Sequence, residues 1–231
     1  MVALGVGGAA ISWRRGDPAA VPLTMLYFAG MEGLQLAGYL VIDKCGTPEN
    51  QAVTALSMLH IILQPVVITL FMLAAFRPDM GGKGRAWIIG LSILASAVML
   101  AQMVPWPWTT GCTPGRPLCG ATLCTVSGTW HLAWEVPYGN LLEAVDLAAG
   151  TNFGFPTYIL AVFFMPLFYG AWRFALFHML VGPVASNLLT RDPNEAPAVW
   201  CLAAIFILGV VLMPGARQLF GAHPAKATGP A

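Results

Sequence analysis

Five stretches of this sequence are apolar over about the thickness of a bilayer: Val21 to Ile42, Ala52 to Phe76, Ala86 to Trp106, Pro156 to about Val181, and Pro197 to Gly215. A hydrocarbon core of about 30 Å takes roughly 20 helical residues to cross. Inside it every backbone N–H and C=O needs a partner within the protein, so runs of this kind are helices. The fold class expected is therefore all-α, a polytopic membrane bundle of six or seven transmembrane helices. Charged residues make up only 9% of the 231, against about 25% in soluble domains. A water-facing surface could not be built from so few, and membrane lipids are the expected surroundings. The formal net charge is +1 with no basic tract, which excludes nucleic acid as a partner.

The expected organisation is a single bundle over residues 1–220, with an outer loop at 107–127 and a flexible tail, GAHPAKATGPA, at 221–231. The opening MVALGVGGAAISW, residues 1–13, is apolar but short. It lacks the positive start of a signal peptide and reads as a short first span. The remaining stretch, GTWHLAWEVPYGNLLEAVDLAAG, is polar for a span, with His131, Glu135, Glu143 and Asp146 in one helix length. Such a segment crosses only if its neighbours shield it from lipid. If 129–149 crosses, Arg14, Arg15, Arg77, Lys83, Arg85, Arg217 and Lys226 share one side, and Lys44, Arg116 and Arg191 the other. Seven against three is the stronger bias; without the crossing it is six against four. The positive-inside rule then places the N-terminus outside and the C-terminus in the cytoplasm.

Cysteine placement agrees with that orientation. Cys45 falls in one outer loop and Cys112, Cys119 and Cys124 in the next, WPWTTGCTPGRPLCGATLC. Outside the cytoplasm these read as disulfides, in one of three pairings. A metal knuckle is the rival reading, but the spacing is unlike common zinc sites.

With these spans, His60, His131 and His178 come from three helices and fall in the outer half of the bundle, roughly 12, 3 and 4 Å deep. Glu135, four residues after His131, would share its helix face. Three neutral imidazoles and a carboxylate can bind zinc, with Glu135 as fourth ligand or as the catalytic base that activates water. Glu32, Gln35, Gln64 and Arg173 are further polar groups at bilayer depth, with Glu32 and Arg173 matched in depth for an ion pair. Each group also has a structural reading. His131 and His178 can reach the interface, and His60 with Gln64 can be interhelical glue. Lys44, Lys83 and Lys226 all lie outside the spans, which excludes a buried retinal Schiff base. Phosphate-loop, nucleophilic-serine and HExxH motifs are absent.

The stretches FAGMEGLQLAGYLVIDKCGTPEN, MLHIILQPVVITLFM, WHLAWEVP and FHMLVGPVASNLLTRDPNEAPAVWCL together resemble an uncharacterised family of bacterial multi-span membrane proteins. The resemblance runs from about Phe28 to Cys201 and implies a bacterial inner-membrane location. It implies no activity and carries over no functional residue. A looser likeness, of topology only, is to seven-helix zinc amidohydrolases of the ceramidase and adiponectin-receptor type. Their pair of histidines four apart is missing, since Gly182 follows His178 at that distance. Three functions compete: a zinc hydrolase acting on lipid esters or amides, a haem b protein with His60 and His131 or His178 as axial ligands, and a non-enzymatic transporter, receptor-like or assembly bundle.

Overall fold

The computed structural model describes residues 1–148 and 153–220. The chain is mostly helical. Helices α1 (Val2–Arg14), α2 (Ala20–Val41), α3 (Pro48–Phe76) and α4 (Gly82–Gln102) run up and down, each packed on the one before. A two-stranded antiparallel hairpin follows, β1 (Cys124–Ser127) and β2 (Leu132–Glu135), then a short α5 (Glu143–Ala148). Helix α6 (Pro156–Tyr169) packs on α4 and α3, and α7 (172–189) packs back along α6. Helix α8 (Ala196–Leu212) lies against α7, α2 and α1 and closes the ring, and a short α9 (Pro214–Leu219) ends it. Among the described residues two helices, α3 and α4, are long and apolar enough to cross a membrane, with mean hydropathies of 2.2 and 1.7.

Helix α3 begins where its sequence says it should. Thr47 caps it by accepting the Asn50 N–H, Pro48 opens the first turn, and Glu49 sits at the positive end of the helix dipole. The helices α6 and α7 each contain a widened turn, Leu160–Phe164 and Leu180–Val184. Pro166 and Pro183 explain both. A proline lacks the N–H for the regular bond and its ring crowds the carbonyl four residues back.

Two expected spans are corrected. Of the expected crossing at 129–149, residues 129–142 form no helix and α5 takes only Glu143–Ala148, so His131 and Glu135 share no helix face; residue 149 lies outside the described residues. The segment is held extended from outside. Cys124 is bonded to Cys45. Asn50 on α3 donates to the Thr125 carbonyl at 2.9 Å and accepts its N–H at 3.0 Å, as a neighbouring strand would. Pro137 then ends the pairing, having no N–H to offer. Nor is Pro156 to Val181 one span. It breaks at Gly170, which takes φ +83°, a conformation open to glycine at little cost. The chain reverses there, and Arg77 from the end of α3 donates to the Tyr169 carbonyl across the turn.

The polar cap and the two chain reversals divide the charges. Asp17 pairs with Arg217 at 2.7 Å at one end, where Arg15 also donates to the Leu212 carbonyl. Arg14, Arg15, Arg77, Lys83, Arg85, Arg173 and Arg217 gather at that end, and Lys44, Arg116 and Arg191 lie at the cap end. Lys226 and the rest of the tail, 221–231, lie outside the described residues.

Candidate functional site

The expected convergence of three histidines does not occur. Among the described residues no three of His, Cys, Asp and Glu come close enough to share a metal ion. Each ring is occupied elsewhere. His60 donates from Nε2 to the Tyr27 carbonyl at 2.8 Å and stacks on the Tyr27 ring with centroids 3.7 Å apart. That leaves Nδ1 as acceptor, and the Gln64 amide faces it at 3.5 Å. His131 lies in the hairpin loop. Its Nε2 faces Gln35 Oε1 at 3.1 Å, and Gln35 is oriented by donating to the Ala198 carbonyl at 3.0 Å. The imidazole Nδ1 therefore accepts from the Tyr39 hydroxyl. His178 accepts the Trp200 indole N–H at 3.1 Å through Nε2, so its proton sits on Nδ1. A neutral imidazole has one lone pair in its plane. In this arrangement the three lone pairs face Gln64, Tyr39 and Trp200.

The reversal at Gly170 also moves two residues in depth. His178 is the seventh residue of α7 counted from the turn, roughly 9 Å from the cationic end. The expected Glu32–Arg173 pair is absent. Arg173 lies beside the turn, donates to the Leu219 carbonyl at 3.3 Å and sits over the Trp172 ring at 5.4 Å. The Glu32 carboxyl is buried on α2, and its Oε1 has no hydrogen-bond partner among the described residues.

What the bundle does build is a cavity of about 150 Å³ below the cap, between α3, α6, α7 and α8. Its walls are apolar, with Ile61, Met99, Phe155 and Trp200 among them. Ser186 and Asn187 also line it, and Gln64, Tyr158 and the free thiol of Cys201 supply its other polar groups. They form a directed chain: Tyr158 donates its hydroxyl to Gln64 Oε1 at 2.7 Å, and the Gln64 amide faces Cys201 Sγ at 3.8 Å and His60. Gln64 is thus more than helix glue. It places one donor and one acceptor edge at the cavity's polar side.

A second, wider cavity of about 750 Å³ lies within the cap itself. Glu135, expected as a metal-site base, stands on its wall with Trp106, Cys112 and Tyr138. The two disulfides, Cys45–Cys124 and Cys112–Cys119, staple this cap, and Cys201 remains reduced and buried.

One residue that sequence reading passed over ties the cap to the bundle. Glu195, fully buried just before α8, accepts the backbone N–H groups of Thr129, Trp130 and His131 at 2.9, 2.8 and 2.6 Å, and the Thr190 hydroxyl as well. Burial alone would raise its pKa, but these donors outweigh it and hold the carboxyl down at about 2. Gly128 is required there, because a Cβ would stand 2.7 Å from the Glu195 carboxyl carbon. The signal in the sequence was the turn TRDPNEAP, an acid placed directly before a helix opening with Ala-Pro. Burial also lowers the His131 pKa, partly offset by the Glu195 charge.

A family model described as a family of unknown function, DUF5765, matches residues 1–220. No curated protein and no solved structure matches the chain.

Proposed function

Because the chain belongs to that family of unknown function, we propose from its own geometry that it is a multi-span membrane protein that binds a small, largely apolar molecule carrying one polar group. Seven helices, α1 to α4 and α6 to α8, cross the bilayer in this reading. The cap faces outside, and the cationic end faces the cytoplasm. The outward faces support it. Phe168, Leu188, Trp87 and Leu40 are 89%, 82%, 74% and 72% exposed, and only lipid makes such exposure favourable. The charge division supports the orientation, with seven of the described cations at one end and three at the other. Helices α1 and α6 are short crossings of about 20 Å, which a bilayer accommodates by local thinning.

The observation that carries the binding reading is the cavity of about 150 Å³ with Gln64, Tyr158 and Cys201 at its polar side. A cavity of about this volume in a soluble protein holds benzene. Here the added donor and acceptor suit a ring or short chain bearing a hydroxyl or carbonyl. The readings as zinc hydrolase and as haem protein lose their support, because the imidazole lone pairs are already used.

The test uses protein in lipid nanodiscs and saturation-transfer NMR with phenol and toluene. Both probes bind, phenol more tightly. Ile159→Trp, which narrows the cavity, removes both, and Gln64→Leu weakens phenol while sparing toluene. Absence of binding to the parent protein, or binding untouched by Ile159→Trp, overturns the reading.

A further inference from the structure

The cap cavity of about 750 Å³ is within the usual range for small-molecule sites. Its electrostatics are one-sided. Seven carboxylates and three cations lie at the cap end of the chain. Most of those carboxylates are engaged. Arg116 holds Glu143 and Asp146 at 3.5 and 3.0 Å, Asp43 accepts from Ser127, and Glu195 is wrapped by backbone donors. Glu135 is different. Its carboxylate makes no hydrogen bond or ion pair among the described residues, and it stands on the cavity wall.

The wall is built to hold it there. The stem of Glu135 crosses Gly120 so closely that a Cβ at 120 would lie 2.3 Å from Glu135 Cβ. Two amide side chains that do not themselves line the cavity brace its wall. Gly111 and Gly139 line the cavity, their carbonyls taking the amide donors of Asn140 at 2.8 Å and Gln102 at 3.5 Å. The other ends of those amides, Asn140 Oδ1 and Gln102 Oε1, are buried without a donor among the described residues. Trp106 and Tyr138 add aromatic surface. Among the described residues no Lys or Arg lines the cavity.

We propose that the cap cavity binds a small organic cation, an ammonium compound, with its charge at Glu135 and its alkyl groups against Trp106 and Tyr138. A carboxylate beside aromatic rings is a setting in which an alkylated ammonium is favoured over water. A calcium ion fits less well, since it takes six to eight oxygens, and among the described residues Glu135 belongs to no group of three or more His, Cys, Asp and Glu that could hold a metal ion. This site is separate from the cavity between the helices and does not depend on it.

The experiment is calorimetry on the full-length protein in nanodiscs with choline and with its uncharged carbon isostere, 3,3-dimethylbutan-1-ol. Choline binds and the isostere binds at least about tenfold more weakly, the ratio expected when one charge-assisted contact is lost. Glu135→Gln abolishes that preference, and Glu135→Asp keeps it in part. Both variants retain the two disulfides by peptide mapping and the parent's melting temperature. Ile159→Trp leaves choline binding unchanged, which separates this site from the phenol site. Equal binding of choline and the isostere, no choline binding, binding unaffected by Glu135→Gln, or displacement of choline by calcium at equal concentration would each overturn the proposal.

Discussion

The carboxylate of Glu195 accepts the backbone N–H of His131 at 2.6 Å, across 64 residues of sequence. Two neighbouring N–H groups and the Thr190 hydroxyl complete the ring of donors, so the hairpin loop closes on this one acid. The contact decides how the cap sits on α8. It also makes the cap's attachment sensitive to acid.

Glu195→Gln loosens the cap, and the parent shows the same loss at low pH. A carboxyl whose pKa is depressed from 4.5 to about 2 stabilises the folded state fully above about pH 4.5. That stabilisation is lost as pH falls towards 2. With solvent screening around the cap, its size is about 2 kcal/mol. Thermal melts between pH 7 and pH 3 check this: the gap between parent and Glu195→Gln narrows as the pH drops. A gap constant with pH would contradict it.

The two disulfides differ in what they restrain. Cys45–Cys124 closes a separation of 79 residues and Cys112–Cys119 one of 7. By chain entropy alone the first is worth about 4.5 kcal/mol and the second about 2.5 kcal/mol. Replacing both cysteines of each pair with serine therefore lowers the melting temperature more for Cys45 and Cys124. That pair also anchors β1 to the top of α3, so its loss frees the strand as well. Differential scanning of the two double variants measures the order.

Gly170→Ala is destabilising by more than the usual helix or loop substitution. The residue holds φ +83°, and a Cβ would stand 2.6 Å from Arg77 Nη1. The left-handed backbone costs about 1 kcal/mol for alanine, and the displaced Arg77 leaves the Tyr169 carbonyl unpaired. A loss of about 2 kcal/mol is expected, read as a lowered unfolding midpoint. Gly215→Ala, at a glycine where a Cβ meets nothing within 4 Å, is the control and leaves the midpoint within error.

His60→Leu separates glue from metal ligand. It removes the donor to the Tyr27 carbonyl and the acceptor of the Gln64 amide, and stability falls by about 1–3 kcal/mol. Zinc content after purification and dialysis stays below stoichiometric in both parent and variant. Stoichiometric zinc that disappears in His60→Leu would reinstate the metal site.

The seven-crossing topology predicts opposite labelling of two surface positions. Lys83→Cys lies in the first turn of α4, and Arg191→Cys lies in the loop between α7 and α8 at the cap end. A membrane-impermeant maleimide added to intact cells labels position 191 and reaches 83 only after permeabilisation. Labelling of both from one side would remove the crossing arrangement proposed above.

Some of this architecture was legible from the residues in order. Long apolar runs with charges confined to their edges determine helices by themselves, because a helix satisfies its own backbone wherever it is placed. Helices α2, α3 and α4 therefore fall where hydropathy puts them, and the four cysteines of the two cap-end loops are bonded in pairs. Tertiary structure alone decided the rest. The stretch from Leu132 to Glu135 is extended because it pairs with β1, which Asn50 and Cys45 hold, and because Glu195 anchors the loop between the two strands; all three are distant in sequence and supply partners that a helix would have supplied locally. His60 faces Tyr27 on α2, His131 is held against Gln35 by the hairpin loop, and His178 meets Trp200 because Gly170 turns the chain back on itself. Hydropathy records how apolar a residue is and is blind to the direction of the helix that carries it.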